Sequence, residues 1–131
     1  MFKTKKSLGQ NFLRSSAALE AIVNCSEIKS GEIVIEIGPG EGVLTEKILA
    51  AGAKLTAIEK DDRLIEILND KFKDKISEGK FELIHADVVD IDFKRFEQKN
   101  KSYKVIANIP YYITGLIMRK LIDDNVATSL T

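Results

Sequence analysis

The sequence predicts an α/β domain built on a parallel sheet, and three observations carry that prediction. Four short strand-like runs, the first of them β-branched, recur along the 131 residues. Stretches with helical spacing of apolar residues lie between them. Each run is followed within two residues by a polar or conformationally special one: Gly38, Glu59, Asp87 and Asn108. Strands alternating with helices imply βαβ units, and in such sheets ligands bind outside the carboxyl ends of the strands.

The elements follow in order. Ser15 and Ser16 predict the N-cap of a helix that places Ala18, Leu19, Ile22 and Val23 on one face, and Gly31 breaks the chain after it. Ile33 to Ile37 reads as a buried strand, and residues 38–42 as a turn. Residues 43–51 read as a helix stopped by Gly52. Residues 55–58 form a second strand ending at Glu59. Asp61 or Asp62 caps a helix carrying Leu64, Ile65, Leu68 and Phe72. Phe81 to His85 is a third strand, and residues 103–107 a fourth that ends at Asn108. A last helix follows Tyr112 with Ile117, Met118, Leu121 and Ile122.

Composition bounds the function. Apolar residues make up 44% and charged residues 31%, an ordinary globular balance for one domain. One cysteine, Cys25, excludes an internal disulfide framework and a Cys-based zinc cluster, and one histidine, His85, excludes a multi-His metal site. Cys25 is expected to pack in the first helix as a small hydrophobe. His85 is expected to be a satisfied structural residue. No apolar run is long enough to span a membrane, and the basic N-terminus lacks the apolar segment of a secretory signal. The expected location is the cytoplasm.

The formal net charge is zero, but it is unevenly spread. Lys3, Lys5, Lys6 and Arg14 stand in a segment without acids. Residues 57–92 carry eleven acids against six bases, and residues 94–104 five bases against one acid. The basic stretches can form a phosphate-binding rim, or simply solvated faces.

Each strand end has a possible chemistry. The turn of Gly38, Gly40 and Gly42 lets a ligand approach the backbone and leads into a helix N-terminus. Its G-x-G-x-G spacing differs from the G-x-G-x-x-G of nicotinamide-binding turns, and Pro39 removes an N–H that a diphosphate could use. This spacing favours S-adenosylmethionine over NAD. Glu59, twenty-one residues after Gly38, can accept hydrogen bonds from both ribose hydroxyls, or be a surface glutamate beside Lys60. Asp87 can accept from an adenine amine while the Val88 N–H meets a ring nitrogen, or be a turn residue. At residues 108–111, Asn108 and the Ile109 carbonyl can each accept one N–H of a planar exocyclic amine. That exposes the nitrogen lone pair to a methyl donor. Pro110 forces an extended bend and Tyr111 can stack on the base. The bland reading is a proline turn with a core tyrosine.

Four stretches together resemble one family. They are Lys5-Lys6-Ser7-Leu8-Gly9-Gln10-Asn11-Phe12-Leu13, then Glu36-Ile37-Gly38-Pro39-Gly40-Glu41-Gly42-Val43-Leu44-Thr45 with Glu59-Lys60-Asp61, then Asn108-Ile109-Pro110-Tyr111-Tyr112-Ile113. They are similar to the ribosomal RNA adenine N6,N6-dimethyltransferases, which include the small-subunit dimethyladenosine transferases and the erythromycin-resistance methylases. The resemblance runs over nearly all of residues 3–123. It implies a Rossmann-like class I methyltransferase fold, sheet order 3-2-1-4, with S-adenosylmethionine as cofactor and residues 1–131 as the N-terminal part of the domain.

It also implies that Asn11 and Leu13 contact the cofactor, with Gly38 and Gly40 at its methionine and sugar, Glu59 at the ribose and Asp87 and Val88 at the adenine. Asn108 sits at the reacting centre with Ile109 and Pro110, and Tyr111 stacks on the target base. Lys3, Lys5, Lys6 and Arg14 are expected to contact RNA. The implied substrate is ribosomal RNA of the 16S type, dimethylated on adenosine N6; a 23S target uses the same motifs. Three other readings are a DNA adenine-N6 methyltransferase, a non-catalytic cofactor- or RNA-binding remnant, and an NAD-linked oxidoreductase, which the glycine spacing disfavours. Gly115 departs from the serine or threonine common in the family. The chain ends where relatives continue with further strands, so the fourth strand is expected to be an open edge.

Overall fold

The structure, a computed structural model, describes residues 16–99, 103–107 and 129–130. Helix α1 spans Ser16–Ser26, strand β1 Ile33–Ile37, helix α2 Val43–Ala50, strand β2 Lys54–Glu59 and helix α3 Asp62–Lys71. The short helix α4 follows at Lys73–Ser77, then strand β3 at Phe81–His85, a 3-10 turn at Val88–Asp90 and helix α5 at Lys94–Lys99. Strands β4 (Lys104–Ala107) and β5 (Ser129–Leu130) complete the described elements. The helix expected after Tyr112, with Gly115, lies outside the described residues.

The five strands form one parallel sheet in the order β3-β2-β1-β4-β5. The expected order 3-2-1-4 is present, but β4 is not an open edge. Ser129 and Leu130 pair with Ile106 and Ala107 in parallel register. An edge strand presents a row of unmet N–H and C=O groups, and a later segment takes them here. Two residues are too few to show a period-two pattern, so the sequence alone carried no signal for β5.

Alternation along the strands divides the core into two layers. One face of the sheet packs Val34, Leu55, Ala57, Phe81 and Ile106 against Leu19 of α1, Leu44 and Ile48 of α2, and Leu68 of α3. Phe72 joins this layer and meets Phe81 edge-on with centroids 5.3 Å apart. The other face packs Ile35, Ile37, Ile58, Val105 and Ala107 against Val88, Ile91, Phe93 and Phe96. Burial on both faces explains why β1 reads as an apolar run broken only by Glu36 rather than as an alternating one.

Helix ends follow the expected chemistry in part. Asp61 is the N-cap of α3, accepting the Arg63 N–H at 2.9 Å. That bond from the Arg63 backbone is the main reason its carboxyl sits below the usual range. The end of α1 is closed from a distance. Lys104 Nζ, at the start of β4, donates to the carbonyls of Ser26 (2.6 Å) and Glu27 (2.9 Å) and pairs with Glu32 Oε1 at 3.0 Å. Cys25 lies in α1 but is exposed, against expectation. The helical period that turns Leu19 inward brings Ser26 with it, and the Ser26 hydroxyl donates to the Ile22 carbonyl at 2.7 Å.

Candidate functional site

The carboxyl ends of β1, β2 and β3 converge on a small set of polar groups. After β1 the chain turns sharply through glycines at φ 69° (Gly38), 60° (Gly40) and 90° (Gly42). Two of these matter most. A Cβ on Gly40 would meet nothing within 4 Å, so this stretch of backbone is open to a ligand. A Cβ on Gly42 would lie 2.6 Å from Phe72 Cε2, so only glycine lets the turn seat against α3. Gly42 is also the left-handed N-cap residue of α2.

Glu59 ends β2 and is only 7% exposed. Its Oε2 accepts the N–H groups of Lys60 (2.9 Å) and Asp61 (3.0 Å), and its Oε1 accepts the Gly40 N–H at a long 3.4 Å. The carboxylate is therefore oriented by its own loop and faces the glycine turn. The neighbouring strand tip is tied to it, because the Ala86 N–H donates to the Glu59 carbonyl at 3.0 Å. Asp87 follows there, capping the 3-10 turn through the Val89 N–H at 3.1 Å. Val88, the first residue of that turn, is buried in the second core layer.

His85 Nε2 stands 2.8 Å from Asp62 Oδ1 and 3.2 Å from the Lys60 carbonyl. Both partners are acceptors, so Nε2 carries the proton. The ring braces the β2–α3 loop, in line with the structural role expected of it.

Sequence reasoning missed Glu36. This glutamate lies in the centre of the sheet, fully buried, and accepts the Thr45 hydroxyl on Oε1 at 2.6 Å. Its Oε2 has no hydrogen-bond partner among the described residues. Burial, opposed by the Thr45 hydroxyl and reinforced by the negative charge of Glu59, pushes its pKa up to about 7. A signal was present, since Glu36 is the one charged residue in the run Ile33-Val34-Ile35-Glu36-Ile37.

The remaining expected site residues, Asn11, Leu13, Asn108, Ile109, Pro110 and Tyr111, lie outside the described residues, as do Lys3, Lys5, Lys6 and Arg14. The described part thus joins Gly40 to Glu59 and places Gly38 and Asp87 at the ends of the two flanking strands. Among the described residues no group of three or more His, Cys, Asp or Glu could hold a metal ion, and no helix is long and apolar enough to cross a membrane.

A family described as ribosomal RNA adenine dimethylase matches residues 1–130. The chain belongs to that family. A relative from Lactobacillus helveticus, ribosomal RNA small subunit methyltransferase A, is 46% identical over 132 residues, covering 95% of this chain and 45% of its own length. Among solved structures, the 23S rRNA methyltransferase ErmE superposes with a TM-score of 0.73 at 26% identity, covering 91% of this chain and 46% of that one. A dimethyladenosine transferase from Plasmodium falciparum gives a TM-score of 0.65 at 34% identity over 83% of this chain and 37% of its own. This family member therefore has the Rossmann-like methyltransferase fold, and it spans just under half the length of the relative from L. helveticus.

Proposed function

We propose that the chain is the cofactor-binding part of an enzyme that transfers methyl groups from S-adenosylmethionine to the N6 amine of adenosines in ribosomal RNA. Residues 1–131 would be the N-terminal portion of its S-adenosylmethionine-binding methyltransferase domain. The observation that carries the reading is the Glu59 carboxylate held against the Gly40 backbone, at the strand ends of a chain that matches the adenine dimethylase family over residues 1–130. The higher identity to a small-subunit methyltransferase (46%) than to the 23S enzyme (26%) supports a small-subunit target, and the adenine dimethylase family supports dimethylation.

The residues present fit the cofactor. Open space over Gly40, an oriented carboxylate at the tip of β2 and an unpaired buried oxygen on Glu36 suit a ligand rich in hydroxyl and amino groups. Glu59 would hold the ribose hydroxyls. Asp87 would accept from the adenine amine and the Val88 N–H would meet the ring. Gly38 and Gly40 would leave room for the methionine part, with Asn11 and Leu13 closing over it. When bound, the cofactor supplies an electrophilic methyl group on a sulfonium, with a neutral leaving group.

The protein's own work is then positioning and polarisation. Asn108 and the Ile109 carbonyl would accept the N–H groups of the target amine. Pro110 sets the bend, and Tyr111 would stack on the base. Lys3, Lys5, Lys6 and Arg14 would meet RNA phosphates. The test is Asn108→Ala in the full-length protein. It should lose nearly all methyl transfer to small-subunit RNA while S-adenosylmethionine still binds by calorimetry. Transfer at the parent rate would reject the assignment, and binding of NAD in place of S-adenosylmethionine would reject the cofactor.

A further inference from the structure

We propose that a cationic groove at the amino ends of the strands is a second contact for the phosphate backbone of the RNA substrate. This rests on the function proposed above and adds a surface to it.

The groove encloses about 160 Å³ and is lined by Lys54, Lys80 and Arg95, with Leu55 and Phe96 as its apolar floor and Glu82 as its lining carboxylate. The three cations come from three separate places. Lys54 opens β2, Lys80 immediately precedes β3, and Arg95 lies on α5. All three are exposed. Parallel register brings the first two together, since Leu55 pairs with Phe81 and the Leu55 N–H donates to the Lys80 carbonyl at 2.9 Å. Arg95 is steadied over the buried Phe96 ring at 5.5 Å.

Three cations against one carboxylate stand out on a chain of zero net charge. The counter-ion of Lys80 is Glu78 at 3.4 Å, and both are about half exposed. Such surface pairs are weak, so a phosphate can displace it. Arg95, from the basic stretch, thus joins two lysines far from it in sequence. The groove lies at the opposite end of the strands from Glu59, roughly 15–20 Å away by strand rise. An adenosine held at the carboxyl ends leaves its flanking nucleotides outside the site, and a structured RNA is wide enough to reach both ends. Lysine and arginine side chains over an apolar floor suit a backbone phosphate with its sugar, recognised without base readout.

The experiment uses the full-length protein and a stem-loop RNA with two adjacent loop adenosines. RNA affinity is measured between about 50 and 200 mM salt for the parent, for K54A/K80A/R95A and for E82Q. The triple variant should bind RNA at least about tenfold more weakly, and its log–log salt slope should fall by about two. E82Q should bind RNA more tightly than the parent. Calorimetric affinity for S-adenosylmethionine should not change in either variant, which separates a lost contact from a lost fold.

An unchanged salt slope, with methylation intact, would overturn the groove and leave the proposed function standing. A parent that binds S-adenosylmethionine but neither binds nor methylates the RNA would overturn both. Polyglutamate binding that the triple variant loses, with an unchanged RNA slope, would assign the groove to an acidic partner and overturn the proposal.

Discussion

The Glu59 carboxylate and the Gly40 backbone N–H face each other at 3.4 Å across nineteen residues of sequence. That contact joins the tip of β2 to the turn after β1. The bond is long, so an incoming hydroxyl can compete for Oε1 while Lys60 and Asp61 keep Oε2 in place. Glu59→Ala should therefore weaken S-adenosylmethionine binding by about 1–3 kcal/mol, the range for a charge-assisted hydrogen bond. Calorimetry on the folded variant is the check, and an unchanged affinity would remove Glu59 from the site.

Gly42→Ala tests how the turn is seated. The new Cβ would stand 2.6 Å from Phe72 Cε2 at a φ of 90°. Overpacking and a left-handed alanine each cost about 1–3 kcal/mol. A lowered Tm is expected, and Phe72→Leu in the same chain should recover part of it by vacating the contact. Full stability of the single variant would show that α3 can shift at no cost.

Glu36 predicts a pH dependence of stability. Its pKa rises from 4.5 in the unfolded chain to about 7 when folded. Between those values the folded state holds more protons than the unfolded state, so stability falls as pH rises through that window. The loss is roughly 3 kcal/mol at most, from the size of the shift. Urea unfolding of the cofactor-free protein at pH 5 and pH 8 should show it. Glu36→Gln cannot ionise, and its two midpoints should lie closer together than those of the parent.

Lys104→Met tests the remote closure of α1. The variant keeps the aliphatic stem but loses the bonds to the Ser26 and Glu27 carbonyls and the pair with Glu32. A loss of about 1–3 kcal/mol is expected, because the helix-end carbonyls lose their donor and Glu32 keeps only the long 3.4 Å contact from the Lys29 N–H. Hydrogen exchange should show α1 opening more readily, and unchanged protection there would refute the capping role.

Much of the fold was legible because each signal was local. The β-branched run at 33–37 and the apolar run at 81–85 coincide with β1 and β3, and the stop at Gly52 matches a helix whose last residue is Ala50. Asp61, one of two candidate caps, proved to be the N-cap of α3. The strand-end residues Gly38, Glu59 and Asp87 were legible for the same reason, since a polar or φ-positive residue after an apolar run marks its end, whereas Glu36, inside a run, gave no such mark. The short pieces α4, α5 and the 3-10 turn were not, because they hold too few residues to display a period.

Sequence by itself determined the order of β1 to β4 with helices α1, α2 and α3, the turn that only glycines can make and the strand ends where a ligand would sit. These follow from backbone sterics and from the alternation of apolar runs. Tertiary structure alone decided that β5 covers β4, that Glu36 keeps an unpaired oxygen beside Thr45, and that Lys54, Lys80 and Arg95 share one groove. Those three outcomes depend on strand register and on burial. Both are set by groups far apart in the chain, and no local pattern records them.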